Sequence, residues 1–288
     1  QAHIDEIGFL VSYIEDDGFL RLVPLGGHDP RNMVAQRVVV MGAAGDLPGL
    51  LYPGQKPPHL TRPDEREKVA PVKEFFVDLG LPVERVRECV PIGSPVVIYR
   101  DFARIGDAVS CKALDNRLSA YIMIEAMRRT VKVGFDVYAV ATVQEEVGVR
   151  GAITNAYEVQ PDVGLALDVT IAADIPGVPD HERVSRLGHG TAIKIMDSYS
   201  ISNPAMVQVL RNLAEERSIP YQMEILPLGG TDAGGIQRSR QGVPVATLST
   251  PTRYVHASIE MAHTRDIEAS IALTAAFIEA GHQHDYSY

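Results

Sequence analysis

From about residue 106 onward, short apolar runs alternate with longer segments of helical period, a rhythm that few folds accommodate. Phe135–Val143, Gly164–Leu167 and Val243–Leu248 read as buried strands, being continuous and largely apolar. Arg117–Arg129 reads as a helix with Leu118, Tyr121 and Ile122 on one face. Asn203-Pro204 supplies an N-cap and a first-turn proline for a helix running to about Arg217. A last helix spans about Thr264–Glu279, with Ile267, Ile271 and Ile278 on one side. The alternation predicts an α/β fold whose sheet is mixed but mainly parallel and flanked by helices.

Residues 1 to about 105 have a different texture and read mostly as β. Segments such as Gly8–Val11 and Arg37–Val40 are separated by turns rich in Gly, Pro and Asp, and Asp16-Asp17-Gly18 has the composition of a hairpin turn. Gln55–Lys73, rich in proline and charge, reads as a long surface loop. A chain of 288 residues that is 45% hydrophobic supports one or two domains. Its net charge of −10 argues against a nucleic-acid partner. No run of about 18 apolar residues offers a membrane span. Cys89 and Cys111 are too few for a disulfide framework, so a reducing, cytoplasmic setting is expected. The chain opens at Gln1, not Met, and the expectation is that further N-terminal elements precede it.

In α/β sheets ligands bind beyond the carboxyl ends of strands, so the polar residues that follow the apolar runs carry the functional information. They are Glu145-Glu146, Asp168 and, a little further on, His256; Asp115 precedes a helix, and His3 and Asp5 sit in a His-Ile-Asp triplet. Each has an ordinary reading as a solvated acid, a surface histidine or a turn. Together they describe carboxylates converging with imidazoles, which repel one another unless protons or cations neutralise them. A histidine and carboxylate set without cysteine suits zinc, cobalt or manganese better than calcium. A shared carboxylate can hold two ions about 3.5–4 Å apart, as in metal-assisted hydrolysis.

Six segments in order carry a family resemblance: Ala2–Gly8, Lys112–Arg117, Gln144–Gly148, Ala166–Val169, Gly229–Ala233 and Arg253–His256. The chain resembles the M42 glutamyl aminopeptidases, metallopeptidases related to the M18, M20 and M28 families. The resemblance implies hydrolysis of N-terminal residues from peptides with two divalent cations, zinc or cobalt first and manganese also. His3 and Asp168 would bind one ion, Glu146 and His256 the other, and Asp115 both, with the Asp115–Asn116 peptide often cis. Asp5 would orient the His3 ring, and Glu145 would act as general base. Residues 1–7 and 106–288 would form the catalytic domain, with its N-terminal elements lacking, and 8–105 an inserted, small β-barrel-like domain used for dimer contacts. Dimers assembling to a dodecamer would restrict substrates to peptides. His59 reads as structural or interfacial and not as a ligand, and so do His28, His181, His189 and His263. The competing readings are a glycoside hydrolase, in which paired carboxylates cleave sugars, and a non-catalytic assembly or binding protein on the same fold.

Overall fold

The computed structural model describes residues 1–56, 58–60, 62 and 68–287. The contact pattern divides the chain into two compact units, one of Gln1–Glu6, Phe102–Val255 and Glu260 onward, the other of Ile7–Asp101 with His256–Ile259. The chain enters the first unit through the two-residue strand β1 (Ala2–His3) and leaves it at once for the second.

The second unit is built on a closed six-stranded barrel. Its strands are β2 (Gly8–Ile14), β3 (Leu20–Leu25), β4 (Gln36–Gly42), β5 (Gly45–Pro53), β6 (Phe75–Asp78) and β7 (Pro95–Ile98), in the circular order β2-β3-β6-β5-β4-β7. Two short helices, α1 (Pro30–Met33) and α2 (Val83–Cys89), lie between strands. Alternation dictates the inside: Phe9 and Val11, Val38 and Val40, and Phe75 and Val77 are buried two residues apart, as a pleated strand requires. The Asp16–Gly18 turn joins β2 to β3 as expected, and Gly18 takes a φ of +87° there. Part of the loop expected over Gln55–Lys73, including Pro63–Glu67, lies outside the described residues.

The first unit resumes with β8 (Ala103–Ile105) and β9 (Ala108–Cys111), then α3 (Leu114–Arg129), β10 (Ala141–Thr142), α4 (Arg150–Val159), β11 (Gly164–Ile171) and β12 (Thr191–Met196). There follow α5 (Pro204–Glu216), β13 (Tyr221–Ile225), α6 (Asp232–Gln237), β14 (Val245–Arg253), β15 (Glu260–His263) and α7 (Thr264–Ala280). Asn203 caps α5 as expected, its side chain accepting from the N–H groups of Ala205 and Met206. Seven strands form one sheet, β13-β12-β14-β15-β9-β8, with β11 on the other edge of β14. Leu118 and Ile122 of α3 pack with Leu167, Leu248 and Phe277 in the main core. Tyr121, expected on the same face, is 51% exposed at the margin of that stripe.

Two further expectations are corrected. The sheet is mixed and not mainly parallel: β11 with β14 and β12 with β13 run parallel, while the other pairs are antiparallel. The reason is local, since β8 and β9 are joined by two residues and β14 and β15 by six, and connections that short reverse the chain. The strand expected over Phe135–Val143 shrinks to β10, which pairs in parallel with β1 through Ala2↔Ala141 and His3↔Thr142. Phe135–Val140 has the composition of a strand but no ladder partner among the described residues; it lines a cavity of about 560 Å³ with Met123, Met127 and Phe277. No helix among the described residues is long and apolar enough to cross a membrane.

Candidate active site

His3 lies in the β1–β10 ladder, paired with Thr142, and is 2% exposed. Its Nε2 lies 3.2 Å from Asp115 Oδ1, 3.8 Å from Glu145 Oε2 and 3.9 Å from Asp168 Oδ1. Nδ1, on the other side of the ring, faces the Asp5 carbonyl oxygen at 3.2 Å and its carboxylate at 3.5 Å. The ring thus has its orientation set on one edge and presents the other to carboxylates, the disposition of an imidazole ligand and its supporting partner.

Asp115 occupies the irregular start of α3, where it and Asn116 have non-helical backbone angles and the peptide bond between them is cis. The Asp115 N–H donates to Glu260 Oε2 at 2.9 Å, and Asn116 Nδ2 donates to the Leu167 carbonyl at 2.9 Å. These bonds tie the start of α3 to β15 and to β11 beside Asp168. Asp168 is 5% exposed on β11, where parallel pairing with β14 over eight residues fixes its place.

Adjacent residues of a straight strand point to opposite faces. Glu145 and Glu146 escape this because β10 ends at Thr142 and Gln144 takes a φ of +60°, a conformation rare outside glycine. The turn is held by Asp5, whose two carboxylate oxygens accept from the N–H groups of Glu145 and Glu146, each at 3.2 Å. Asp5 therefore has two contacts, one to the His3 ring and one to the turn; only the first follows from the resemblance.

The electrostatics describe crowded negative charge. Burial opposes charge on His3, yet Asp115, Asp5 and Asp168 hold its imidazolium well above the usual range. Burial drives Asp168 well up, with Asp115 and Glu145 adding to it. Glu145 is pushed up to about 8 by burial, eased by His3 and reinforced by Glu146, Asp115 and Asp232. Ligand atoms of His3, Asp115 and Asp168 lie within 4.8 Å of one another, and a ligand atom of Asp115 is equally close to one of Glu146. A buried set of one imidazole and several carboxylates that repel one another fits a hard or borderline divalent cation, which would replace the protons now required.

The first unit thus brings together His3, Asp5, Asp115, Glu145, Glu146 and Asp168. His256 stands on the β14–β15 connection with a φ of +61°, and its contacts group it with the barrel unit, where its ring borders Gly27. Two of the remaining histidines have structural work. His28 stacks on Phe9 at 4.2 Å and its Nε2 contacts the Gly8 and Leu25 carbonyls, and His263 caps α7 by accepting from the Arg265 N–H. Sequence reasoning missed Glu260 and a buried charged group in which Lys194 Nζ lies 3.1 Å from Glu224 and 3.7 Å from Asp197. A lysine inside the apolar run of β12 was the available signal.

A profile of the M42 glutamyl aminopeptidase family matches residues 1–273. The lysyl aminopeptidase of Pyrococcus furiosus is 36% identical over 286 residues, covering 96% of this chain and 80% of that protein. Among solved structures, an aminopeptidase from the archaeon Desulfurococcus kamchatkensis superposes with a TM-score of 0.91 at 42% identity, covering 96% of this chain and 78% of that one. The Pyrococcus horikoshii TET1 peptidase, described as able to assemble into a tetrahedron or a large octahedral shell, has a TM-score of 0.85 at 32% identity, with 96% and 82% covered. The site geometry, the profile match along nearly the whole chain and these likenesses agree: the chain belongs to the M42 glutamyl aminopeptidase family of metal-dependent peptidases.

Proposed function

We propose that this aminopeptidase works with two divalent cations, zinc or cobalt before manganese, one held by His3, Asp115 and Asp168 and the other by Asp115, Glu146 and His256. The observation that carries the reading is the convergence of His3, Asp115 and Asp168 ligand atoms within 4.8 Å, in a buried setting that disfavours their charges. His256 enters the second set through the family resemblance of Arg253–His256.

When bound, the cations polarise the scissile carbonyl and lower the pKa of water toward about 7. The other steps fall to the protein. Glu145 Oε2, 3.8 Å from the His3 ring, accepts the proton of the attacking water and delivers it to the leaving amine nitrogen. Burial pushes its carboxyl up to about 8, which favours holding a proton, and cations bound beside it would lower that value and favour the ionised base. Asp5 fixes the His3 ring and the Glu145–Glu146 turn together, so that base and ligand keep one geometry.

Peptides are the proposed substrates, and a homo-oligomer built from dimers through the barrel unit, up to a dodecamer, is the proposed state. The tetrahedron and octahedral shell described for the Pyrococcus horikoshii relative support it. The glycoside hydrolase reading gives His3 no role, and the sequence has no Trp for sugar stacking. A non-catalytic reading leaves the raised, half-buried Glu145 unexplained.

The test is turnover of an aminoacyl chromogenic substrate before chelation, after it, and after zinc or cobalt is restored. Activity lost and regained supports the reading. Chelator-insensitive turnover overturns it.

A further inference from the structure

The Gly229–Ala233 motif contributes none of the proposed ligands, yet its Asp232 is 2% exposed at the first position of α6. Asp232 Oδ2 accepts a 2.5 Å hydrogen bond from Thr142 Oγ1, and both residues are buried. Thr142 ends β10 and is the parallel partner of His3, and its carbonyl accepts from the Ile4 N–H at 3.0 Å. A two-residue ladder is too short to fix a strand by itself. Asp232 can act as a post because the residue before it is pinned on another side: Thr231 Oγ1 donates to Asp197 at 3.1 Å, and Asp197 lies 3.7 Å from Lys194 Nζ. The other oxygen, Asp232 Oδ1, is buried without a hydrogen-bond partner among the described residues. A buried, half-satisfied carboxylate costs stability and so calls for an explanation.

We propose that Asp232 is a positioning residue for the first cation: by anchoring Thr142 it holds the short strand that presents His3. The inference rests on the two-cation reading and adds to it a part played by the Gly229–Ala233 motif. The anchor is a hydrogen bond between two buried groups, the Thr142 hydroxyl and Asp232 Oδ2.

Zinc affinity is measured by competition with a chromogenic chelator on the full chain, together with the visible absorption of the cobalt-loaded protein. His3→Ala first identifies the site: wild type binds two zinc ions and the variant loses one. Thr142→Val, which keeps shape and removes the hydroxyl, then weakens zinc at that site ~10–100-fold, the usual effect of losing a ligand's supporting partner, and alters the cobalt spectrum. Thr142→Ser restores both, and Asp232→Asn, which keeps an acceptor oxygen, stays within ~3-fold of wild type. If Thr142→Val does not melt cooperatively, Thr142→Ala against Thr142→Ser gives the same comparison. Unchanged affinity and spectrum in Thr142→Val overturn the proposal alone. Loss in Asp232→Asn with Thr142→Val intact also overturns it, by showing that charge and not anchoring matters. Wild type that binds no zinc removes the two-cation reading and this proposal with it.

Discussion

At the scale of single residues, Glu145 does most to separate chemistry from structure. It approaches the His3 ring at 3.8 Å and its carboxylate is displaced upward to about 8, whereas its backbone N–H is held by Asp5 whatever its side chain does. Glu145→Gln therefore retains both cations, seen as zinc content, while kcat falls ~10²–10⁴-fold, the range for loss of a general base. Near-normal turnover would remove Glu145 from that role. The same substitution has a pH signature in chelated protein. The folded value of Glu145 lies above its unfolded value of 4.5, so its contribution to stability is fully present below pH 4.5 and is lost as pH rises through about 8. Glu145→Gln abolishes that loss. Thermal melts of chelated wild type and variant are expected to be closest near pH 5 and to separate in favour of the variant toward pH 8. A constant offset across that window would show that Glu145 is not displaced by its surroundings.

At the scale of elements, the group formed by Lys194 on β12, Glu224 on β13 and Asp197 joins neighbouring segments of the sheet. Thr170, two residues beyond Asp168 on β11, donates to Glu224 at 2.6 Å, so the group also reaches the strand that carries a proposed ligand. Lys194 is 1% exposed, and burial opposes its charge, but Glu224, Asp168 and Asp197 hold the ammonium above its usual range. Lys194→Met strands two buried carboxylates and is expected to cost about 3–5 kcal/mol in a urea titration, with part recovered by Lys194→Met with Glu224→Gln. A cost under about 1 kcal/mol would mean that water reaches the group. This triad also marks where sequence reading stops. Periodicity pointed to α3 and α7, the Asn203-Pro204 cap to α5, and the six motifs to His3, Asp115 and Asp168, because side-chain period, caps and short motifs are local properties. Lys194 and Glu224 are thirty positions apart and meet only through the register Lys194↔Glu224 of β12 and β13. Phe135–Val140 was misread for the same reason: strand composition is local, but a ladder needs a partner, and β10 finds one only at Ala2–His3. The two-residue Gly106-Asp107 hairpin, with Gly106 at a φ of +60°, is also local, but the expectation of a mainly parallel sheet did not take it into account.

At the scale of the whole molecule, the barrel unit is nearly continuous in sequence, taking in Ile7–Asp101 and only His256–Ile259 from elsewhere. Its core is its own: Phe9, Leu20, Val40, Leu51, Phe75 and Val96 form one buried cluster. Closure of β2-β3-β6-β5-β4-β7 gives every barrel strand a partner on both sides, which limits the open edges that are the usual hazard of an excised sheet. Residues 7–101 expressed alone are therefore expected to fold, with a cooperative urea transition and dispersed amide resonances; a non-cooperative, dye-binding chain would show that the unit depends on the rest of the protein. The same fragment addresses assembly. Tyr13, Val23 and Leu50 are 58%, 50% and 56% exposed on barrel strands, large apolar side chains that a monomer leaves in water. If this unit carries the proposed dimer contact, light scattering of the fragment gives a mass that doubles with concentration, and Leu50→Lys with Val23→Lys holds it monomeric without changing its melt. A fragment that folds yet stays monomeric at every concentration places the contact elsewhere in the chain.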